Sequence, residues 1–407
     1  MNVLFLTIGQ IPDLHTPSVH IDLIRELRKS GHEVSVLCTR EKRLGLPTEL
    51  SEEGGVKILR LRIGNLTKCS MIEKGINTVL IEGQFKRAIR KYFGADRYDL
   101  VIYNTPPITL AGAVKYAKRK FRCRSYLILK DIFPQNAVDI GIMSTSGISG
   151  LLYKLFRRKE IQLYSASDRI GCMSRANKEY LLRHNPYLEE KNVEIFPNAV
   201  FSDTLSHRRK KDRSLLEKYG IAADRPVFIY GGNLGKPQGL EFFAEALKGI
   251  SDKIDCSFVI AGSGTEKEKF FKAVNGLKNV YPINYLPYEE YENLCASCDV
   301  GLVMLDYRFT IPNYPSRILS YMENAMPVLA CTDPNTDVKE LVEEEAVCGK
   351  WCPSNDVDAF AESVRWFAEN TDKFTELGGN GRKYFEENFV ADKNIEKLEK
   401  FINERRA

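Results

Sequence analysis

One stretch in the second half of the chain does most to indicate the fold, and it reads Val227-Phe228-Ile229-Tyr230-Gly231-Gly232-Asn233-Leu234-Gly235-Lys236-Pro237-Gln238-Gly239-Leu240. Its first four residues are β-branched or aromatic, which predicts a buried strand, and the pattern after Gly239 predicts a helix. The glycines between them allow backbone N–H groups to approach an anion, and Lys236 adds a positive charge. The spacing matches neither the Walker motif nor G-x-G-x-x-G. A strand-to-helix turn without a ligand is the alternative interpretation.

The same strand–loop–helix unit recurs along the whole chain. Short β-branched runs alternate with longer amphipathic stretches, which is typical of α/β proteins with parallel sheets. In the first half, the predicted strands cover residues 2–8, 33–38, 56–61, 100–103, 125–129, 169–173 and 193–196. In the second half, they cover residues 227–230, 256–261, 280–282, 300–304, 328–331 and 346–349. We therefore predict two sheet domains of similar type, each covered by helices on both faces.

A basic stretch with few core residues separates the two halves. Residues 197–213 contain Arg208, Arg209, Lys210 and Lys211, and we interpret them as the link between domains. The predicted domains are residues 1–203 and 204–387, and residues 388–407 are expected to form a helix that packs back toward the first domain. Residues 40–72 fit the alternation least well, so a variable loop or hairpin is expected there.

Length and composition exclude several classes of protein. The chain has 407 residues, 43% of them hydrophobic and 28% charged, which excludes a disordered or low-complexity chain. No run approaches the roughly 18 apolar residues of a membrane span. The apolar start of the chain ends at Gly9, without the pattern of a signal peptide. We expect a soluble, cytoplasmic protein.

The cysteines indicate a reduced protein. Ten cysteines are scattered through apolar runs, which favours reduced core thiols over a disulfide scaffold. Cys295 and Cys298 have a metal-like spacing, but no histidine follows His207. A structural zinc site needs four convergent ligands, so no metal site is expected.

Three further loops of the second half follow predicted strands. Gly262 and Gly264 follow the second strand and could form one wall of a nucleotide pocket. Residues 284–287 turn into a helix and could present backbone groups to a base, although a bare capped turn explains them equally well. In residues 311–318, Ser316 is expected to cap a helix. Arg317 follows where a diphosphate would meet free N–H groups, and a bound anion would offset its conflict with the helix dipole.

One acidic residue of the first half follows a strongly apolar strand. Asp131 comes directly after the predicted strand 125–129. At the carboxyl end of a parallel strand, a carboxylate contacts a ligand or caps the next helix. Spacing alone slightly favours the cap.

Short motifs in a fixed order carry a family resemblance along nearly the whole chain. They are Gly31-His32-Glu33-Val34, Asn104-Thr105-Pro106-Pro107, Lys130-Asp131-Ile132-Phe133-Pro134, Phe196-Pro197-Asn198-Ala199-Val200, Gly232-Asn233-Leu234-Gly235, Ala261-Gly262-Ser263-Gly264, Pro315-Ser316-Arg317-Ile318-Leu319-Ser320-Tyr321-Met322 and Met326-Pro327-Val328-Leu329-Ala330. Together they resemble glycosyltransferase family 4, the retaining sugar-nucleotide enzymes of the GT-B architecture. The stretch around Asp131 is similar to the exopolysaccharide and O-antigen branch. The resemblance implies two Rossmann-like, doubly wound parallel-sheet domains facing a central cleft.

By this resemblance, the second domain binds a nucleotide-sugar donor and the first binds the acceptor. Arg317 and Lys236 would stabilise the donor diphosphate, and Asp131 would position the acceptor or the reacting sugar. The remaining donor contacts would come from Gly232, Asn233, Leu234, Gly235, Gly262, Gly264, Tyr285, Leu286, Pro315, Ser316 and Ser320. Acceptor contacts would come from Gly9, His15, His20 and Pro106.

The resemblance also implies a reaction and a set of alternatives. A hexose or N-acetylhexosamine would pass with retention from a nucleotide sugar, UDP-linked rather than GDP-linked, to a lipid-linked or saccharide acceptor, without a metal or other cofactor. The chain departs from the family where two glutamates are frequent, because Pro312 and Ser320 stand there. A sugar-nucleotide epimerase of the same fold and a non-catalytic nucleotide-sugar binding protein are the alternatives. A dinucleotide oxidoreductase would need G-x-G-x-x-G after the first strand, where Gly9 stands alone.

The charges are unevenly distributed between the two halves. Residues 1–200 contain 32 basic and 20 acidic residues, a net charge of +12, whereas residues 201–407 contain 27 and 34, a net charge of −7. Basic residues cluster at 115–124 and mix with apolar ones in 68–93 and 151–159. This mixture favours binding of the first half to an anionic membrane surface and to a polyprenyl-diphosphate-linked saccharide, at the inner face of the membrane. Solvated outer helix faces are the alternative. Nucleic acid is not expected, since no recognition motif is present.

Overall fold

The computed structural model describes residues 1–206 and 209–404, which fold as two units, each built on one β-sheet. The first unit contains Met1–Ser202 together with the chain from Ala391 onward. The second unit contains Asp203–Val390. The chain therefore leaves the first unit once and returns to it with its last helix.

The sheet of the first unit is mixed. Its strands are β1 (Asn2–Leu6), β2 (Glu33–Glu41), β3 (Glu49–Glu53), β4 (Val56–Ile63), β5 (Leu100–Asn104), β6 (Arg124–Leu129), β7 (Arg169–Cys172) and β8 (Val193–Ile195). They are ordered β3-β4-β2-β1-β5-β6-β7-β8, and only β3 pairs antiparallel with its neighbour. The strand order reverses between β1 and β5, which is where ligands bind in open α/β sheets.

The antiparallel edge comes from the region that fitted the alternation least well. Residues 40–72 contain the hairpin of β3 and β4, which confirms the hairpin alternative. The hairpin turns at Gly54 and Gly55, whose φ angles are 54° and 74°. Two adjacent residues with positive φ are the turn geometry that matches the twist of paired strands. The predicted architecture of two parallel-sheet domains is confirmed, with one antiparallel strand at the edge of the first sheet.

Helices connect the parallel strands of the first unit. They are α1 (Val19–Lys29), α2 (Met71–Tyr92), α3 (Ala111–Phe121), α4 (Gln135–Asp139), α5 (Gly147–Ala166) and α6 (Arg175–His184). The hydroxyl of Ser18 accepts the N–H of Ile21 and caps the start of α1. The apolar face of α1, with Ile21, Ile24 and Leu27, is buried.

The sheet of the second unit is wholly parallel. Its strands are β9 (Val227–Asn233), β10 (Ser257–Ser263), β11 (Val280–Ile283), β12 (Val300–Met304), β13 (Val328–Thr332) and β14 (Gly349–Pro353). They are ordered β11-β10-β9-β12-β13-β14, the order of a doubly wound dinucleotide-binding sheet. The order reverses between β9 and β12, so the Gly-rich loop after β9 lies at the expected ligand position.

The helices of the second unit are α7 (Ser214–Lys218), α8 (Leu240–Ile250), α9 (Lys267–Val274), α10 (Tyr288–Ser297), α11 (Arg317–Glu323), α12 (Val338–Glu340), α13 (Val357–Glu369) and α14 (Phe374–Asn388). The core between them and the sheet is rich in aromatic side chains, including stacked Phe228 and Phe258. The predicted strand at 346–349 was wrong. Val347 has a φ of 45°, which an extended strand does not allow, so β14 begins only at Gly349.

The last helix, α15 (Ala391–Asn403), packs in the first unit. The side-chain amide of Asn394 donates to the carbonyl of Pro197 at 2.9 Å. Phe401 is buried, and the guanidinium of Arg124 lies 3.5 Å from the centre of its ring. The same guanidinium donates to the Phe401 carbonyl. Arg124 is therefore partly a structural residue of the first unit.

Candidate functional site

The site of the second unit is built on the carboxyl ends of β9 and β10. β9 continues to Asn233, beyond its predicted end, and stays paired with β10 up to Ser263. A Cβ atom at Gly262 would lie 2.0 Å from the carbonyl oxygen of Gly232, so this close pairing requires a glycine. Gly232 itself has a φ of 125°, a conformation that side chains disfavour. The result is an edge of bare backbone at the ligand position of the sheet.

Arg317 is held against this edge by three interactions. Its Nη1 donates to the carbonyl of Gly231 at 2.9 Å, and its Nη2 donates to the side-chain oxygen of Gln238 at 2.9 Å. The guanidinium carbon lies 4.2 Å from the centre of the buried Tyr230 ring. Within the described residues, no carboxylate pairs with Arg317. A fixed, half-buried guanidinium without a counter-ion attracts an anion.

Two residues of this arrangement were missed in the sequence interpretation. Gln238 is buried, and its side-chain oxygen also accepts the hydroxyl of Tyr230 at 3.2 Å. Tyr230 contributes the ring under Arg317. The sequence around Gln238 and Tyr230 does not indicate that they hold Arg317, because Arg317 lies about 80 residues farther along the chain.

The glycine loop presents some of its predicted residues and hides others. Gly232, Asn233 and Lys236 are exposed, whereas Gly235 is buried. Leu234 packs in the core, its N–H donates to Ser263 and its carbonyl accepts from Glu266. Leu234 therefore shapes the loop and offers no free group to a ligand. Lys236 opens a short 3-10 turn that precedes α8.

The expected helix cap before Arg317 is wrong. Ser316 already has helical backbone angles, φ −65° and ψ −18°, and its hydroxyl makes no cap hydrogen bond. A capping side chain needs an extended backbone to reach the N–H groups of the first turn. Ser316 is exposed, and the Pro315 carbonyl accepts the N–H of Ile318 instead.

A buried carboxylate stands beside the serine that replaces the family glutamate. The hydroxyl of Ser320 lies 2.9 and 3.2 Å from the two carboxylate oxygens of Glu292 on α10. Glu292 is buried, and burial raises the pKa of its carboxyl group. A carboxylate therefore still lies next to position 320, but Glu292 of α10 supplies it. The sequence pattern did not indicate a contact between Ser320 and α10.

Two predicted base contacts lie at the carboxyl end of the neighbouring strand. Tyr285 and Leu286 follow β11, which pairs with β10 through Ala261 and Ile283. The Tyr285 side chain is largely exposed. An exposed aromatic ring at the ligand edge of the sheet is suited to stack on a base.

A second constellation lies at the carboxyl ends of β5 and β6 in the first unit. The Thr105 hydroxyl accepts the N–H groups of Lys130 and Asp131, at 3.0 and 3.1 Å, and so ties the two loops together. Asp131 accepts from the side chain of Asn136 at 2.6 Å. Burial raises the pKa of Asp131 to about 6. Asp131 does not cap α4, because Pro134 occupies the cap position.

His20 joins the same edge from α1. A Cβ atom on Gly9, in the loop after β1, would lie 3.2 Å from the Nδ1 of His20. Burial, together with the positive charge of Lys130, lowers the pKa of His20 to about 3, so the ring is neutral at pH 7. Its buried Nε2 has no hydrogen-bond partner within the described residues.

Lys130 is the main residue of this edge that the sequence interpretation missed. Burial lowers its pKa to about 7, and no carboxylate pairs with it within the described residues. The side-chain oxygens of Asn136 and Asn198 are likewise buried without hydrogen-bond partners there. Lys130 and Asn198 border the same small cavity. Unpaired polar groups in one place indicate a site for a polar ligand.

Two predicted acceptor residues stand apart from these contacts. His15 is exposed, and its backbone N–H donates to Asp13 at 2.7 Å. Pro106 is exposed in the loop after β5, and its carbonyl accepts from Asn104. The described contacts bring neither His15 nor Pro106 against Asp131.

The cysteines form no metal site among the described residues. All ten are free thiols, nine of them buried, as predicted. Cys298, which directly follows α10, donates to the Leu294 carbonyl of that helix. Cys295 packs against the sulfur of Met326 at 3.9 Å. No group of three or more His, Cys, Asp or Glu residues is placed to hold an ion in the described part of the chain.

Comparisons with known proteins agree with these two sheets. Residues 211–384 match the family model described as glycosyl transferases group 1, and residues 18–203 match that of glycosyltransferase family 4. The probable glycosyltransferase WbjE of Pseudomonas aeruginosa is 24% identical over 75% of this chain and 74% of its own. The putative colanic acid biosynthesis glycosyl transferase WcaI of Escherichia coli is 24% identical over 50% of this chain and 49% of its own. The crystal structure of Anabaena HepE in complex with UDP and glucose covers 98% of this chain and 99% of its own, at 16% identity and a TM-score of 0.67.

Removal of the unpaired Lys130 charge is expected to stabilise the first unit. Burial lowers the pKa of Lys130 from an ordinary value near 10.5 to about 7, so the unfolded state binds the proton more tightly than the folded state. The resulting penalty on the folded state is largest below pH 7 and disappears as the pH rises toward 10.5. Lys130→Met should therefore raise the free energy of unfolding by about 4 kcal/mol at pH 7, with the gain shrinking toward pH 10. Urea unfolding at several pH values measures this. A gain independent of pH, or an equal gain in the exposed control Lys115→Met, would contradict it.

Proposed function

We propose that this chain, which belongs to glycosyltransferase family 4, transfers a sugar from a UDP-sugar to a lipid-linked or saccharide acceptor during biosynthesis of a surface polysaccharide. The observation that carries the proposal is the unpaired guanidinium of Arg317, fixed at the carboxyl edge of β9 by the Gly231 carbonyl and Gln238. The UDP and glucose bound by HepE support a nucleotide-sugar donor. Similarity to WcaI, a putative glycosyl transferase of colanic acid biosynthesis, supports a role in making a polysaccharide.

The donor diphosphate is proposed to bind at the glycine loop. Arg317 offers its charge there, and the exposed Gly232, Asn233 and Lys236 border the same edge. Tyr285 is proposed to contact the base, and Ser320 with Glu292 to accept a hydroxyl of the donor. Negative charge grows on the diphosphate as the glycosidic bond breaks, and fixed cationic donors stabilise such charge efficiently. On this basis we propose that transfer needs no metal ion.

The reaction is proposed to retain the configuration of the sugar. The acceptor hydroxyl attacks C1 of the sugar on the face that the diphosphate leaves. The bond between C1 and the diphosphate oxygen breaks, and that oxygen takes the proton of the hydroxyl. No protein nucleophile takes part. A hexosyl or N-acetylhexosaminyl group fits this step equally.

The acceptor is proposed to bind at the carboxyl edge of the first sheet. Asp131 offers a carboxylate to an acceptor hydroxyl, and the neutral His20 offers its unpartnered Nε2. The unpaired Lys130 favours an acceptor that carries negative charge, such as a polyprenyl-diphosphate-linked saccharide. Ligand phosphate would raise the pKa of Lys130 and supply the missing partner.

Membrane contact is proposed through exposed apolar side chains of α5 and α2. Ile148, Leu151 and Leu155 on α5 are 89%, 68% and 50% exposed, and Lys154 and Arg158 stand among them. On α2, the apolar side chains of Ile76, Val79 and Leu80 are each at least half exposed. Lys159 of α5 pairs with Glu82 of α2 at 3.8 Å, so the two helices are close. Apolar side chains beside cations suit an anionic bilayer surface.

The basic cluster at 115–124 contributes less to this surface than its sequence suggests. Lys118 pairs with Asp168 at 2.7 Å, and Arg124 contacts Phe401, so both act within the first unit. Among the described residues, no helix combines the length and the apolar composition needed to cross a bilayer. We propose peripheral binding at the cytoplasmic face of the membrane.

Arg317→Ala is expected to weaken UDP binding by about 10- to 100-fold, because a charge-assisted contact to the diphosphate is lost. Sugar transfer should slow by about 100-fold or more, since the contact strengthens in the transition state. Calorimetry with UDP and a radiolabelled transfer assay measure both effects. The UDP affinity and the transfer rate of Arg317→Lys should lie between those of the wild type and Arg317→Ala. Lysine keeps the positive charge but lacks the planar guanidinium that binds two phosphate oxygens at once.

Arg225→Ala is the matched control. Arg225 precedes β9 at the other end of the strand and pairs with Asp255. Wild-type UDP affinity in Arg317→Ala, or equal losses in both variants with circular dichroism unchanged, would refute the role of Arg317.

The triple variant Ile148→Ser, Leu151→Ser, Leu155→Ser should lose most binding to phosphatidylglycerol vesicles, because about 2 kcal/mol of apolar burial is lost at each position. Co-sedimentation measures the bound fraction. The matched control replaces Leu44, Leu46 and Leu50 by serine, since these side chains are also exposed. Equal sedimentation of all three proteins would remove the α5 surface from the proposal.

A further inference from the structure

A groove of the first unit lies at the opposite end of its sheet from the Asp131 edge. It has a volume of about 1050 Å³ and lies at the amino-terminal edge of the first sheet, where β6 and β7 begin. Asp131 follows the opposite end of β6. The cations that line the groove are Lys118, Arg119, Arg122, Arg124, Arg169 and Lys191. Its lining carboxylates are Asp168 and Glu404, so positive charge predominates.

The lining charges are only partly neutralised. Lys118 pairs with Asp168 at 2.7 Å, and Arg169 pairs with Glu404 at 2.6 Å. Arg119 and Arg122 have no carboxylate partner within the described residues. Lys191 pairs with Glu189, but both side chains are largely exposed, and such pairs are weak. The groove therefore retains unpaired guanidinium groups beside a structured ion-pair network.

The backbone at Arg122 adds an independent observation. Arg122 ends α3 with a φ of 54° and a ψ of 35°, in the left-handed region. Glycine is the usual residue at such a helix end, because a side chain there raises the energy of the backbone. An arginine at this position places a guanidinium at the groove where the fold alone favours glycine. Strain of this kind is concentrated at functional sites.

Arg169 adds a third observation. Its side chain is 11% exposed and lies 4.8 Å from the centre of the Phe401 ring. Its buried Nε has no hydrogen-bond partner within the described residues. A buried N–H donor without a partner is rare, because it loses its hydrogen bond to water on folding. Arg169 thus lines the groove with a guanidinium that pairs with Glu194 and Glu404 and whose buried Nε has no partner among the residues described.

We propose that this groove binds a diphosphate group as a second anion site, independent of the proposed donor and acceptor sites. Guanidinium groups match the paired oxygens of a phosphate, and cations from three chain segments match an anion with more than one charge. A soluble diphosphate and the diphosphate headgroup of a lipid share this chemistry. Arg119 and Arg122, the cations without a carboxylate partner in the described part of the chain, supply most of the affinity.

The test uses pyrophosphate with the full chain in the Arg317→Ala background, so that the proposed donor site contributes little. Arg119→Gln with Arg122→Gly should weaken pyrophosphate binding at least tenfold in calorimetry. The melting temperature should stay the same or rise, because glycine relieves the left-handed backbone at position 122. The matched control is Lys115→Gln with Lys120→Gln, which removes two exposed charges of the same helix that do not line the groove.

A second arm compares phosphatidylcholine vesicles with and without diacylglycerol pyrophosphate, a lipid whose headgroup carries a diphosphate. Weaker pyrophosphate binding in the groove variant, with vesicle binding unchanged, supports a soluble diphosphate. Weaker binding of both pyrophosphate and the diphosphate lipid, again only in the groove variant, assigns the site to a lipid headgroup. Equal losses in the groove variant and the control would show a diffuse effect of net charge and overturn the proposal. Absence of any effect of the groove variant in both arms would overturn it as well.

Discussion

The close backbone pairing of β9 and β10 is the constraint on which the donor edge depends. Only a glycine at position 262 lets the carbonyl of Gly232 come so near, and this pairing carries the strands out to Asn233 and Ser263. The Gly231 carbonyl is thereby placed to hold Arg317. One cation is then fixed by a carbonyl, an amide side chain and an aromatic ring, none of which cancels its charge. The free charge remains available to a phosphate ligand.

Much of the fold follows from local patterns, and most errors come from backbone angles. The strand from Val227 to Tyr230 and the glycine loop after it could be predicted, because hydrophobic runs and glycines have local effects on the backbone; the extension of the strand to Asn233 could not. The predicted cap at Ser316 was wrong because its backbone already has helical angles, which the residue types did not indicate. The strand at 346–349 failed because Val347 has a positive φ.

The parts of the site that escaped prediction depend on contacts between distant segments. Gln238 belongs to the site because it accepts a hydrogen bond from Arg317, and Glu292 belongs to it because it accepts one from Ser320. Lys130 directly precedes Asp131, yet only burial without a partner distinguishes it from an ordinary surface lysine. Residue type and spacing contain none of this information, since burial is a property of the assembled sheet.

The basic character of the first half resolves into separate structural roles. Arg124 and Lys118 hold the last helix and the start of β7, Lys130 lies unpaired at the carboxyl edge, and Arg119 and Arg122 face the groove at the other edge. A single membrane-binding patch would not distribute cations over both ends of one sheet. The exposed apolar side chains of α2 and α5 are a further, distinct feature.

Calorimetric titration with UDP, UMP and uridine in the presence of EDTA tests the cationic donor edge most directly. If protein cations alone hold the diphosphate, UDP should bind at least tenfold more tightly than UMP, uridine should bind weakest, and added magnesium should leave the order unchanged. Equal affinities for UDP and uridine, or UDP binding that appears only with magnesium, would contradict a diphosphate held by Arg317 and the glycine loop.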